Sequence, residues 1–108
     1  MDHQLIDARS LALHRLVAEK LAADPSLLDV ARDNLQRWRE QDGGLPSALG
    51  EWEALLGGKL DDITAVLTER SERASRLRQS SPFAGVLTDA ERRTIYESHT
   101  ARAHHQGG

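Results

Sequence analysis

Four interruptions cut this chain into helix-sized pieces: Asp24-Pro25, Asp42-Gly43-Gly44, Gly57-Gly58 and Ser80-Ser81-Pro82. Between them apolar residues return every three or four positions, the spacing that gives a helix one buried stripe. A chain of 108 residues has room for one core. The sequence therefore predicts an all-α fold: a single small helical bundle of about five helices. Its core is expected over residues 5–79. Residues 80–108 form a corner and a loosely attached C-terminal helix, which we expect a partner to order.

The first helix is expected from Leu5 to Ala23, with Leu5, Ala12, Leu13, Leu16, Val17 and Leu21 on one broad face. It stops at Asp24, because a residue before proline is pushed out of the α region. Asp24 and Pro25 then serve as cap and first position of a second helix, whose seam is Leu28, Ala31, Leu35 and Trp38. So short a connection predicts antiparallel packing of the second helix on the first. A third, shorter helix has Leu49, Trp52 and Leu56 inside, and Gly57-Gly58 ends it.

The fourth helix is expected to be long, Leu60 to Gln79. Leu60, Ile63, Leu67, Ala74 and Leu77 form its stripe. Its exposed side carries Glu69 four residues before Arg73 and Glu72 four before Arg76, both favourable orders for an ion pair. Thr88-Asp89-Ala90-Glu91 is a capping box that opens a fifth helix, about Asp89 to Ala101. That helix has little apolar surface beyond Ile95 and Tyr96, and the His104–Gly108 tail is expected to fray.

Composition removes several function classes. There is no cysteine, so a disulfide scaffold, a zinc ribbon and a thiol nucleophile are excluded together. No apolar run reaches membrane-spanning length and the N-terminus lacks a signal-peptide pattern, so a cytoplasmic location and no membrane partner are expected. The net charge of −3 is unevenly placed. Residues 1–67 hold seven Lys/Arg against twelve Asp/Glu, and residues 68–108 hold seven against five. The two ends thus offer different surfaces to partners.

No residue set specifies a reaction. The five histidines lack the i,i+4 spacing with a carboxylate that a helical zinc site needs, so no metal and no cofactor is expected. Ser80 and Ser81 have no general base in view. Binding is better represented. Arg70, Arg73 and Arg78, with Leu77 between them, lie on the fourth helix. Ser81 and Phe83 mark the corner after it, and Arg93 lies on the fifth helix. Arginines can grip phosphates or acidic side chains, and a lone aromatic after a proline can anchor an interface. The plainer alternatives are a solvated, salt-bridged helix face for the arginines and a fold-back staple for Phe83 and Leu87.

The segment SERASRLRQSSPFAGVLTDAERRTIYES, with ARDNLQRW and GEWEALLGG upstream, resembles small actinobacterial proteins encoded beside nucleotidyltransferase-like toxins. These are antitoxins of type II toxin–antitoxin pairs. The resemblance runs from about Leu11 to Tyr96 and carries no catalytic signature. It implies a non-enzymatic protein that binds and silences a cognate nucleotidyltransferase toxin in a hetero-oligomer, with self-association also compatible.

The rival class is a DNA-binding regulator. The pair of helices around Asp24-Pro25, followed by Arg32, Asn34, Gln36, Arg37 and Arg39, offers the residue types of a helix-turn-helix. The acidic balance of residues 1–67 and the bundle-like seam argue against it, so nucleic acid is the less favoured partner.

Overall fold

The computed structural model describes residues 2–42 and 47–107. The expected stop at Gly43-Gly44 lies outside them. The fold is all-helical: α1 (Asp2–Ala23), α2 (Leu28–Asp42), α3 (Ser47–Leu56), α4 (Leu60–Thr68), α5 (Glu72–Gln79) and α6 (Asp89–Gly107). Helix α1 is the spine, packed against α4, α5 and α6, while α2 and α4 both lie against α3.

Among the described residues six α-helices appear where five were expected, because the long fourth helix is two. Glu69 leaves the α region (φ −77°, ψ 153°), and so does Ser71 (φ −71°, ψ 158°). The Ser71 hydroxyl then accepts from the Ala74 amide at 3.1 Å and starts α5 as its N-cap. Ile63, Leu67, Ala74 and Leu77 are all buried nonetheless. The break redirects the chain without turning the stripe away from the core.

The entry to α2 also differs. Asp24 caps a single 3₁₀ turn, Pro25–Leu27, accepting from the Ser26 amide at 3.2 Å, and α2 begins only at Leu28. With that turn inserted, α2 packs on α3 and the 81–87 corner instead of lying back along α1. Leu28, Ala31 and Leu35 are buried as its seam predicts, and Trp38 is half-buried.

The corner belongs to the core. Pro82 is fully buried, and Phe83 and Val86 are each 4 % exposed. The Asn34 side chain donates to the carbonyls of Pro82 (2.8 Å) and Ala84 (2.9 Å). Gly85 sits at φ +97°, a conformation that disfavours any side chain. The capping box then forms as expected: Glu91 Oε1 accepts from the Thr88 amide at 2.8 Å, and Thr88 Oγ1 accepts from the Glu91 amide at 3.1 Å. Helix α6 runs antiparallel to α1. Lys20 Nζ, late in α1, pairs with Glu91 early in α6 at 2.8 Å, and Arg9, early in α1, lies 5.0 Å from the centroid of Tyr96. It continues six residues past the expected Ala101, to Gly107.

Candidate functional site

The side chain at the centre of the candidate site is Arg78. It follows Leu77 on the inner side of α5 and is only 6 % exposed. Its Nη1 reaches back across the α4–α5 break and donates to Val66 O at 2.9 Å and Glu69 O at 2.6 Å. Both carbonyls lie at the C-terminal end of α4, where helix carbonyls lack intrahelical partners and the helix dipole is negative. The guanidinium thus holds the break between the two helices. Its Nε is buried without a hydrogen-bond partner, and Arg78 makes no ion pair among the described residues. Burial pulls its pKa below the ordinary arginine value, Asp7 partly opposes that, and Arg15 adds to it.

Two cavities open on either side of Arg78. The first, about 460 Å³, lies between α1, the corner and α6; Leu13, His14, Val17, Ser81, Phe83, Leu87, Arg92 and Tyr96 line it with Arg78. The second, about 520 Å³, lies nearer the start of α1. Asp7, Leu11, Arg15, Arg70, Ser75 and His99 line it, again with Arg78. One carboxylate faces three arginines there. A further groove between α2 and α3 is also lined with charges, but its Arg39 is paired with Glu53, and its Arg32 with Asp29.

His14, 8 % exposed, sits on the α1 wall of the first cavity. Its Nδ1 lies 2.7 Å from Ser10 O, which assigns the ring proton to Nδ1. Burial lowers its pKa, the Ser10 carbonyl opposes the shift, and the Arg78 charge adds to it. Ser10 Oγ is 3.4 Å from the same nitrogen. A nitrogen already committed to a carbonyl is a poor base for that hydroxyl, so the pair lacks the geometry of an activated nucleophile. The arrangement suits holding an anion better than moving a proton.

Against this geometry the seven residues singled out from the sequence divide. Leu77 is fully buried and Phe83 is 4 % exposed, edge-on to Trp52, so neither is the exposed interface anchor expected. Arg78 is likewise internal. The cause is the same for all three: the α4–α5 break and the corner fold this segment inward over α3. Arg73 is exposed but pairs with Glu51 of α3 (Nε to Oε2, 3.6 Å), as does Arg76 (Nη1 to Oε1, 3.0 Å). Glu51 thus replaces the expected partners Glu69 and Glu72. Its carboxyl is drawn below the ordinary range, chiefly by the hydrogen bond from Arg76. Arg70 is exposed at the rim of the second cavity, and Ser81 lines the first with its Oγ accepting from the Phe83 amide at 3.2 Å. Arg93 is exposed on α6 and lines neither cavity.

Sequence reasoning missed His14, Arg15, Arg92 and His99 as members of this region. His14 had a signal, since it is a polar residue inside the apolar stripe between Leu11 and Val17. Arg15 and Arg92 are ordinary surface arginines until the fold brings α1 beside α5 and α6. Four of the five helix-turn-helix residues have partners within the fold: Asn34 to the corner, Arg37 to Asn34, Arg32 to Asp29 and Leu56 O, and Arg39 to Glu53, while Gln36 is exposed on the α2–α3 groove. No group of three potential metal ligands occurs among the described residues, and no helix there is long and apolar enough to cross a membrane. Compared with protein-family models, curated proteins and solved structures, the chain finds no match.

Proposed function

We propose that the chain is a non-enzymatic interaction protein, an antitoxin that silences a nucleotidyltransferase toxin by presenting arginines to its acidic, metal-binding carboxylates. The observation that carries this reading is the second cavity, where Arg15 of α1, Arg70 of the α4–α5 turn and Arg78 of α5 converge with Asp7 as the one opposing carboxylate. Arg15 and Arg70 are exposed and make no ion pair among the described residues. A concave cationic surface is complementary to a carboxylate cluster and steers its approach. The resemblance of residues 11–96 to antitoxins encoded beside nucleotidyltransferases suggests the class of partner. The DNA-binding alternative is weaker, because most of the donors it needs on α2 are engaged within the fold.

The test is co-purification with the product of the neighbouring gene, using wild type, Arg15→Glu, Arg70→Glu and the double variant. A complex that weakens with each reversal and with added salt is expected. Capture that is indifferent to both reversals would remove the cationic surface from the interface. No capture by wild type, with a shift of its own promoter DNA instead, would replace this reading with the regulator.

A further inference from the structure

The first cavity shares Arg78 with the surface just described but is otherwise lined by different residues, and it has the make-up of a small-molecule site. Its volume of about 460 Å³ is that of a pocket for a modest ligand. Leu13, Val17, Phe83 and Leu87 give it apolar walls, Arg78 and Arg92 give it cationic ones, and no Asp or Glu lines it. The nearby carboxylates are engaged or on the other side: Glu91 is held by Lys20 and the Thr88 amide, and Asp7 lines the second cavity.

Arg78 adds a second, independent observation. Buried charges are ordinarily paired, because desolvation costs several kcal/mol in a medium that cannot answer the charge. Here Arg78 is 6 % exposed, its buried Nε has no partner, and among the described residues two carbonyls are its acceptors. Those carbonyls carry partial charges. Among the described residues no carboxylate pairs with it; Asp7, on the second cavity, acts on it only through space. Arg92, exposed and without an ion pair among them, waits on the α6 side of the same cavity.

We infer that this cavity binds a small organic acid, with its carboxylate between Arg78 and Arg92 and its hydrocarbon body against Leu13, Val17, Phe83 and Leu87. A carboxylate supplies the one negative charge that the walls lack and accepts planar hydrogen bonds from guanidinium. The apolar walls favour a hydrocarbon body over a bare inorganic anion. Leu13 and Arg92 line this cavity and not the second one, so variants there separate its failure from that of toxin binding.

The experiment is a backbone amide NMR titration of the full chain with octanoate, run beside octanol and inorganic phosphate. Saturable shifts confined to residues 13–17, 78–87 and 92–96 are expected with octanoate, at least about tenfold tighter than with either control, the factor one good charged contact gives. Arg92→Gln should weaken octanoate about tenfold on the same grounds. Leu13→Trp, which fills the cavity from α1, should abolish binding, while Lys59→Gln, at an exposed position that lines neither cavity, should leave it unchanged. Thermal unfolding of each variant separates a lost site from a lost fold. Octanol binding as well as octanoate would reduce the cavity to an apolar hole, and phosphate binding as well would make it a simple anion site. Either result, no saturable shift, or full affinity in folded Arg92→Gln would overturn the proposal.

Discussion

The ring of Phe83 meets the indole of Trp52 edge-on, with centroids 5.5 Å apart and planes at 78°. Trp52 is fully buried, and its Nε1–H donates to Leu77 O at 2.9 Å. One side chain of α3 therefore holds both the last turn of α5 and the corner that follows. Edge-to-face pairs of this kind add to the area they bury, because the positive ring edge faces the negative ring face.

Phe83→Ala should accordingly destabilise the fold by about 3–5 kcal/mol, the range for removing a buried aromatic ring. In urea unfolding followed by circular dichroism, the midpoint should fall while the slope stays constant. A loss below about 1 kcal/mol, typical of an exposed position, would mean that Phe83 is at the surface after all. The same result decides how Phe83→Ala is used in binding work. A drop in toxin capture by this variant reports a damaged core, and only exposed arginines probe the interface cleanly.

Most of the fold was legible because helix periodicity and helix punctuation are local. Leu28, Ala31, Leu35, Leu49, Trp52, Leu56, Ile63, Leu67, Ala74 and Leu77 all turn inward as their spacing requires, and the Thr88–Glu91 box closes as written. The break at 69–71 was not legible, because Glu69, Arg70 and Ser71 carry no glycine or proline. What ends α4 is a long-range contact, the Arg78 guanidinium on Glu69 O. The candidate site was hidden for the same reason. Its arginines come from α1, the α4–α5 turn, α5 and α6, and only tertiary packing shows that Arg73 is occupied by Glu51 while Arg70 has no ion pair among the described residues.

Asn34 ties α2 to the corner through Pro82 O and Ala84 O. Asn34→Leu keeps the bulk but leaves two carbonyls without donors, a loss of about 2–6 kcal/mol at about 1–3 kcal/mol for each buried unpaired group. Asn34→Asp should be worse at pH 7, since a carboxylate oxygen would face those carbonyls, and it should recover as the pH falls and the carboxyl gains a proton. Chemical denaturation of both variants at pH 7 and pH 4, each referred to wild type, checks the order. Equal losses at both pH values would show that the amide donors matter little.

Ser71 is the start signal of α5 through its bond to the Ala74 amide. Ser71→Ala should cost about 1 kcal/mol, the usual worth of an N-cap. It should not fuse α4 and α5 into one helix, because Arg78 still engages Glu69 O. Far-ultraviolet circular dichroism should therefore stay at the wild-type level while the thermal midpoint falls by a few degrees. A gain of helical signal would show that the cap alone keeps the two helices apart.

The Lys20–Glu91 pair, with Lys20 also donating to Val86 O at 2.8 Å, ties the corner and the start of α6 to α1. The tie lies at the end of α6 nearest the capping box; further along, only Ile95 adds a half-buried apolar side chain before His99. Limited proteolysis of the free protein should therefore spare residues 80–95. Early cleavage inside 80–87 would mean that the corner is ordered only by a partner, as the sequence alone led us to expect.

His14 makes stability depend on pH with a definite sign. Its ordinary pKa is 6.5, and in the folded chain it is lower, first because burial penalises the charged ring and then because Arg78 repels it, with the Ser10 carbonyl opposing. The unfolded chain therefore binds the proton more readily. The stabilisation from keeping His14 neutral is complete above pH 6.5 and is lost as the pH falls through the lower, folded value. The slope in that window is at most about 1.4 kcal/mol per pH unit, the limit for one proton. Glu51 and Glu91 have depressed values too, so their contributions fade only below the ordinary carboxyl value of 4.5. His14→Gln can still donate to Ser10 O but cannot titrate. Subtracting its urea stability from that of wild type between pH 7.5 and pH 5 cancels the other groups. The difference should decline for wild type as the solution is acidified. Parallel curves would mean that His14 takes up its proton as easily in the folded chain as in the unfolded one, and that the α1 wall of the first cavity is open to water.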